Sequence, residues 1–494
     1  MSDTAIFLGK SDKPEELILA MANRHGLVTG ATGTGKTVTL QIMAESFCKA
    51  GVPVFAADVK GDLSGISQEG TPQDFLTERA KKIDFNDYGM EATPTIFWDL
   101  FGEQGHPIRT TVIEMGPLML SRLMGLSEAQ EGAMNIAFKI ADNEGLALLD
   151  LKDLRALLAD LAVRSKEITT QYGNVASTTI GSIQRRLVVI EEQGGDKFFG
   201  EPALDIKDLM RTTRDGRGYM NILAADRLMT SPQLYATFLL WLLSELFEVM
   251  PEVGDPEKPK LVFFFDEAHL LFDDAPPGLL QKIQQTVKLI RSKGVGVYFV
   301  TQNPLDVPDS VLEQMGNRVQ HALRAYTPRD QKAVKSAATT FRPNPAFNTE
   351  KVITELGKGE ALVSTLDAKG IPSMVGRTLI RPPSGRMGPI TPDERKAAIK
   401  NSPVFGQYEE AVDRDSAYEK LQKKAGAKAE AEQQAVEEKV QAKAERAVPR
   451  ERETATDRFI KNAASSVGRQ LGTSVARSIG NALVRGILGG LTRR

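Results

Sequence analysis

Residues 30–37, Gly30-Ala31-Thr32-Gly33-Thr34-Gly35-Lys36-Thr37, follow the order G-x-x-x-x-G-K-[ST]. Glycines at that spacing let the backbone turn so that successive N–H groups point at phosphate oxygens. Lys36 would reach the β- and γ-phosphates, and the Thr37 hydroxyl would ligate Mg²⁺. The pattern predicts a site for a nucleoside triphosphate with Mg²⁺. A second constellation is the acidic pair Asp266-Glu267, which follows five apolar residues. Asp266 would hold the Mg²⁺ water shell, and Glu267 would polarise the attacking water. A third is Gln302, at the tip of an apolar run, where an amide can sense the γ-phosphate or orient water.

These groups need rigid elements behind them. Gly26–Thr29 reads as a short buried strand and residues 38–49 as a helix, so the glycine-rich run lies between strand and helix as its chemistry requires. Residues 52–58 read as a strand buried on both faces, delivering Asp58, Lys60 and Asp62 to its carboxyl end. Leu261–Phe265 and Val295–Thr301 are two more apolar strands, carrying the acidic pair and Gln302. His269 fits a structural hydrogen bond at least as well as a γ-phosphate contact. Residues 317–325 read as one further strand, with Arg318 and Arg324, and 359–381 as a β-hairpin turning at 367–370. From Pro117 helical spacing persists for about 100 residues, with a capping box at Ser127 and a helix start at Asp150.

Composition excludes little. The chain has 494 residues, 41% of them hydrophobic and 26% charged, and a formal net charge of −2, so overall charge does not point to nucleic acid. The single Cys48 suits a reducing compartment. The N-terminus lacks the pattern of a signal peptide, and the most apolar run, 238–250, is interrupted by Glu245 and Glu248. The expected location is cytoplasmic, with peripheral attachment at the inner face of the membrane left open. After Pro389 the chain becomes rich in Ala, Glu and Lys. Residues 458–494 hold seven Lys/Arg and no acid, with Ala463, Val467, Leu471, Val475, Ile479, Leu483, Ile487 and Leu491 four apart. Packing on a protein surface, lying on an anionic membrane and binding nucleic acid all remain open for this tail.

The P-loop, an Asp-Glu on a later strand and a Gln on the next resemble the additional-strand catalytic-glutamate ATPases. Within them, Arg24-His25 before the P-loop, Asp266-Glu267-Ala268-His269 and Thr301-Gln302-Asn303-Pro304 resemble the HerA/FtsK superfamily of DNA-pumping ATPases. The whole chain is similar to bacterial HerA-like proteins of the YjgR type. The resemblance implies an α/β fold: a RecA-like P-loop ATPase core, a mostly parallel central sheet flanked by helices, with a helical insertion and a charged helical C-terminal extension. Its parts would be residues 1–115 and 221–385 as the two halves of the ATPase core, with 116–220 as the mainly helical insertion. Residues 386–457 would be a charged helical linker or arm and 458–494 a basic, glycine-rich amphipathic tail.

The resemblance further implies a homo-oligomeric ring, a hexamer, with ATP between subunits and DNA through the centre. An arginine from the neighbour would complete each site. By position Arg291 matches that finger best, Arg24 matches a second nucleotide-facing arginine, and Arg318 is the reserve. HerA proper carries a β-barrel ahead of its P-loop that engages a nuclease. Here the P-loop starts at residue 30, which counts against a nuclease partner. Two functions follow: ATP hydrolysis coupled to translocation on DNA, or an ATPase acting on protein or at a membrane through the basic tail.

Overall fold

The computed structural model describes residues 4–173, 175–272 and 277–445. The basic tail at 458–494 and the last part of the charged arm lie outside the described residues. The contacts divide the chain at residue 423. The first unit is built on a sheet with strands β1 (Ala5–Lys10), β2 (Pro14–Ile18), β3 (Gly26–Thr29), β4 (Val54–Asp58), β5 (Thr95–Asp99) and β6 (His106–Pro107). It continues with β7 (Met220–Ala224), β8 (Leu261–Phe265), β9 (Val295–Thr301), β10 (Asn317–Gln320), β11 (Glu360–Ser364) and β12 (Gly376–Ile380). Their order across the sheet is β2-β1-β12-β11-β10-β3-β9-β8-β4-β7-β5-β6. From β10 to β6 every pairing is parallel, while β11, β12, β1 and β2 extend the other edge antiparallel. This is the mixed α/β, mostly parallel architecture of a RecA-like P-loop core.

The central strands are apolar without alternation because both faces are covered. Along β8, Leu261, Phe263 and Phe265 enter the core on one face, while Val262 and Phe264 enter the core on the other. The first face carries the helices Glu128–Glu144, Leu151–Val163, Ser177–Ile190 and Pro232–Val249; the second carries Lys36–Lys49. Burying five side chains of that size on one strand contributes on the order of 10 kcal/mol before entropy is counted. In this register β9 lies between β3 and β8, so the strand bearing Gln302 separates the phosphate loop from the acidic pair.

Local departures from the sequence reading have local causes. The strand expected at 52–58 starts at Val54, because the Val52 N–H turns back to the Phe47 carbonyl and Pro53 has no N–H to give. The strand expected at 317–325 ends at Gln320, beyond which the His321 N–H donates to the Thr29 carbonyl at the end of β3 and the Ala322 carbonyl accepts from the Ala31 N–H of the phosphate loop. The helical region starts at Val112 rather than Pro117, through a Thr111–Glu114 capping box, and breaks at Gly116 (φ 73°). The box at Ser127, the helix start at Asp150 and the β11–β12 hairpin form as expected, and Asp150 adds a capping box of its own. The β1–β2 hairpin, which pairs with β12, was not anticipated. Past residue 386 the chain still contributes to the first unit: Val404 and Tyr408 are buried, and Tyr408 meets Trp98 edge-on. The helix Ala417–Glu445 then carries exposed Val436 and Val440 among its charges. Among the described residues no helix is long and apolar enough to cross a membrane.

Candidate functional site

β3 delivers Thr29 to the phosphate loop, and the helix Lys36–Lys49 leaves it with Gly35 as N-cap and no side chain bonded to its first N–H groups. Gly30 permits the close approach this needs, since a Cβ there would lie 2.5 Å from the His321 Cβ. Gly35 adopts φ 120°, a conformation that costs glycine little. The loop is braced from outside. The Ala31 N–H donates to the Ala322 carbonyl at 2.8 Å, and the Gly359 N–H donates to the Thr34 carbonyl at 3.1 Å. Arg79 in turn donates to the Gly359 carbonyl at 2.8 Å. His321, fully buried, donates from Nδ1 to the Glu360 carbonyl and accepts at Nε2 from Thr39 Oγ1. Burial pushes that imidazole down to about 4, so it stays neutral.

Lys36 Nζ donates to the Gly30 and Ala31 carbonyls at 2.6 and 3.2 Å. Burial lowers its pKa, with Glu267 and Asp266 pulling the other way. An uncapped helix N-terminus and a half-buried ammonium served only by loop carbonyls fit a phosphate chain.

The acidic pair stands at the end of β8. Glu267 has φ 48°, a left-handed conformation costing about 1–2 kcal/mol for a side chain with a Cβ, and its side chain is only 5% exposed. Lys60 donates to its Oε1, and Gln302 Nε2 donates to both carboxylate oxygens at 3.3 Å. His269 Nδ1 lies 3.4 Å from Oε2. Burial pushes the Glu267 carboxyl up, but Lys60, with help from Gln302 and His269, holds it below the ordinary value. Gln302 Oε1 accepts from Thr32 Oγ1 at 3.1 Å, so one amide ties the phosphate loop to the glutamate. Asp266 differs from its neighbour: burial, with Glu267 alongside, pushes it up to about 7. Its bond from a protein donor is the Glu267 N–H at 2.9 Å. A buried carboxyl short of positive charge suits a divalent cation. Among the described residues no cluster of three or more His, Cys, Asp or Glu stands ready as a metal cage.

The structure therefore brings together residues 30–37, Lys60, Asp266, Glu267, His269 and Gln302. Asp58 lies beside Asp266, at the ends of the paired strands β4 and β8, and helps to raise its pKa, whereas Arg24, Arg291 and Arg318 are not brought there. Asp58 accepts from the Gly61 and Leu63 N–H groups at 2.8 and 3.1 Å, so its carboxylate caps its own turn. Arg24 precedes β3 and Arg291 precedes β9, which puts both at the amino ends of these parallel strands, opposite their own chain's phosphate loop. There the two arginines share Asp255, at 3.9 and 3.3 Å. Arg318 is engaged inside its own chain, donating to the Met315 and Leu312 carbonyls. His321 and Arg79 were not anticipated, because neither stands in a motif.

Among solved structures, VirB4 of Thermoanaerobacter pseudethanolicus gives a TM-score of 0.46 at 14% identity, covering 80% of this chain and 99% of that one. The plasmid coupling protein TrwB in complex with the GTP analogue GDPNP gives 0.47 at 17%, covering 77% and 92%. TrwB in complex with ADP and Mg²⁺ gives 0.45 at 16%, with the same coverage. A comparison with curated proteins found no match. The family described as helicase HerA-like C-terminal matches residues 4–494, and the chain belongs to that family.

Proposed function

We propose that this chain hydrolyses ATP with Mg²⁺ and couples the hydrolysis to movement along DNA as a homo-oligomeric, hexameric ring of the YjgR-type HerA-like subgroup. The observation that carries the ATPase reading is the Glu267 carboxylate, which is buried, kept ionised by Lys60 and tied through Gln302 to Thr32 of the phosphate loop. A protein that only binds nucleotide has no use for a pre-ionised carboxylate at that position.

Residues 30–35 wrap the phosphates, Lys36 neutralises the β- and γ-phosphates, and Thr37 and Asp266 hold the cation. Mg²⁺, when bound, would offset the negative charge of the β- and γ-phosphates. Glu267 takes the proton of the attacking water, and Gln302 orients that water from the facing strand. Arg291 serves the neighbouring subunit's site, a role consistent with its exposure and its distance from its own loop. Movement along DNA rests on the family.

Steady-state ATP turnover with and without single- and double-stranded DNA tests the reading, with Glu267→Gln as the blank. DNA-stimulated turnover that the variant abolishes is the expected result. Turnover indifferent to DNA sinks the motor and leaves an ATPase acting on protein or membrane.

A further inference from the structure

Beyond β10 the chain leaves the sheet through His321 and Ala322, turns, and enters the helix Pro328–Thr339. Between residues 324 and 349 lie five cations, Arg324, Arg329, Lys332, Lys335 and Arg342, and one acid, Asp330. The Asp330 carboxylate is committed to the Thr327 N–H in a capping box. Arg324, Arg329, Lys332 and Lys335 are all exposed, and none of the four makes an ion pair or hydrogen bond among the described residues. Tyr326 stands among them 82% exposed. In a chain of net charge −2, such a concentration of unneutralised charge is local.

We propose that Tyr326 and the stripe Arg324, Arg329, Lys332 and Lys335 form a contact surface for single-stranded nucleic acid, the backbone lying along the cations and a base stacking on the tyrosine. Arg329, Lys332 and Lys335 are three residues apart, so their Cα atoms climb the helix over about 9 Å on one broad face, long enough to follow consecutive phosphates. An exposed ring beside such a row is the combination that holds unpaired bases without regard to sequence. The surface is joined to the ATP site: the turn that carries Arg324 and Tyr326 starts from Ala322, whose carbonyl holds the Ala31 N–H. A polymer seated on the stripe thus pulls on a segment that grips the phosphate loop. The proposal rests on the nucleic-acid reading above and assigns it a location.

The test measures binding of a labelled oligo-dT to the full-length protein across a salt series. The proteins are wild type, Tyr326→Ala, Lys332→Gln/Lys335→Gln, and Lys351→Gln, a control at a cation already beside Glu355. Tyr326→Ala is expected to weaken binding about 5- to 150-fold. The double variant is expected to flatten the plot of log affinity against log salt by about 1.4. The control should match wild type, and ATP turnover without DNA should be unchanged in all. Wild-type binding that both surface variants retain in full overturns the assigned surface and leaves the motor standing. Absence of oligo-dT binding by wild type overturns the assigned surface, and if a labelled duplex run in the same assay also fails to bind, the motor falls with it. Binding to anionic vesicles, lost in the variants while oligo-dT binding persists, would reassign the stripe to a membrane surface.

Discussion

The Lys60 ammonium donates directly to Glu267 Oε1, joining the loop after β4 to the acidic end of β8. Neither residue is informative alone. Together they explain how a carboxylate with a 5% exposed side chain stays ionised. Lys60 itself remains about half exposed, so it can move.

Replacing Lys60 with Met removes the cation and leaves burial to act unopposed, which raises the Glu267 pKa. Because a general base must be deprotonated, the acid limb of the pH–kcat profile should move to higher pH. The loss should be several-fold at pH 6 and shrink toward pH 9, while Lys60→Arg should keep the wild-type limb. A Met variant with an unmoved limb would separate Lys60 from the chemistry.

Glu267→Gln should lower kcat by about 10²–10⁴ and leave ATP affinity within a few-fold of wild type. Gln302→Ala removes both the water-orienting amide and the link to Thr32, so kcat should fall with a smaller change in affinity. Single-turnover hydrolysis paired with fluorescent-nucleotide binding reads the two separately. Equal losses in binding and turnover would place both residues among the phosphate-holding groups.

The arginine assignment separates by mixing subunits. Arg291→Ala and Glu267→Gln proteins should each be inactive alone, yet regain turnover when co-assembled, because some interfaces then carry both wild-type groups. Mixtures as dead as their parts would remove Arg291 as a group acting across subunits. Arg318→Ala, by contrast, should destabilise by about 1–3 kcal/mol, since it leaves the Leu312 and Met315 carbonyls without their donor.

Buried His25 and His321 are each pushed down to about 4 from the ordinary 6.5, mainly by burial. Between those values the unfolded chain takes up protons that the folded chain refuses. Each histidine therefore lowers stability as pH falls from about 6.5 to about 4, by on the order of 3 kcal/mol, with no further change below. Asp58 and Asp266, pushed up to about 6 and 7, slope the opposite way in overlapping windows. The readable quantity is thus the difference between proteins: urea midpoints of His321→Asn should fall less steeply on acidification than those of wild type. Parallel curves would mean that His321 titrates in the folded protein as it does in the unfolded chain.

The glycine-rich loop, the acidic pair and Gln302 were legible in the sequence because each is a run of neighbouring residues whose chemistry depends on local order. The central strands were legible because burial on both faces demands unbroken apolar runs. The residues that complete the site were decided by tertiary structure. Lys60 and Glu267 are far apart in the chain, and only the β4–β8 pairing sets their loops side by side. His321 became a brace because β10 pairs with β3, leaving its buried ring between Thr39 and Glu360. Asp58, Arg24 and Arg318 had the right residue types, but a carboxylate or guanidinium binds whichever partners the fold brings within reach. For Asp58 these are turn amides, for Arg318 loop carbonyls, and for Arg24 an aspartate at the far end of the sheet.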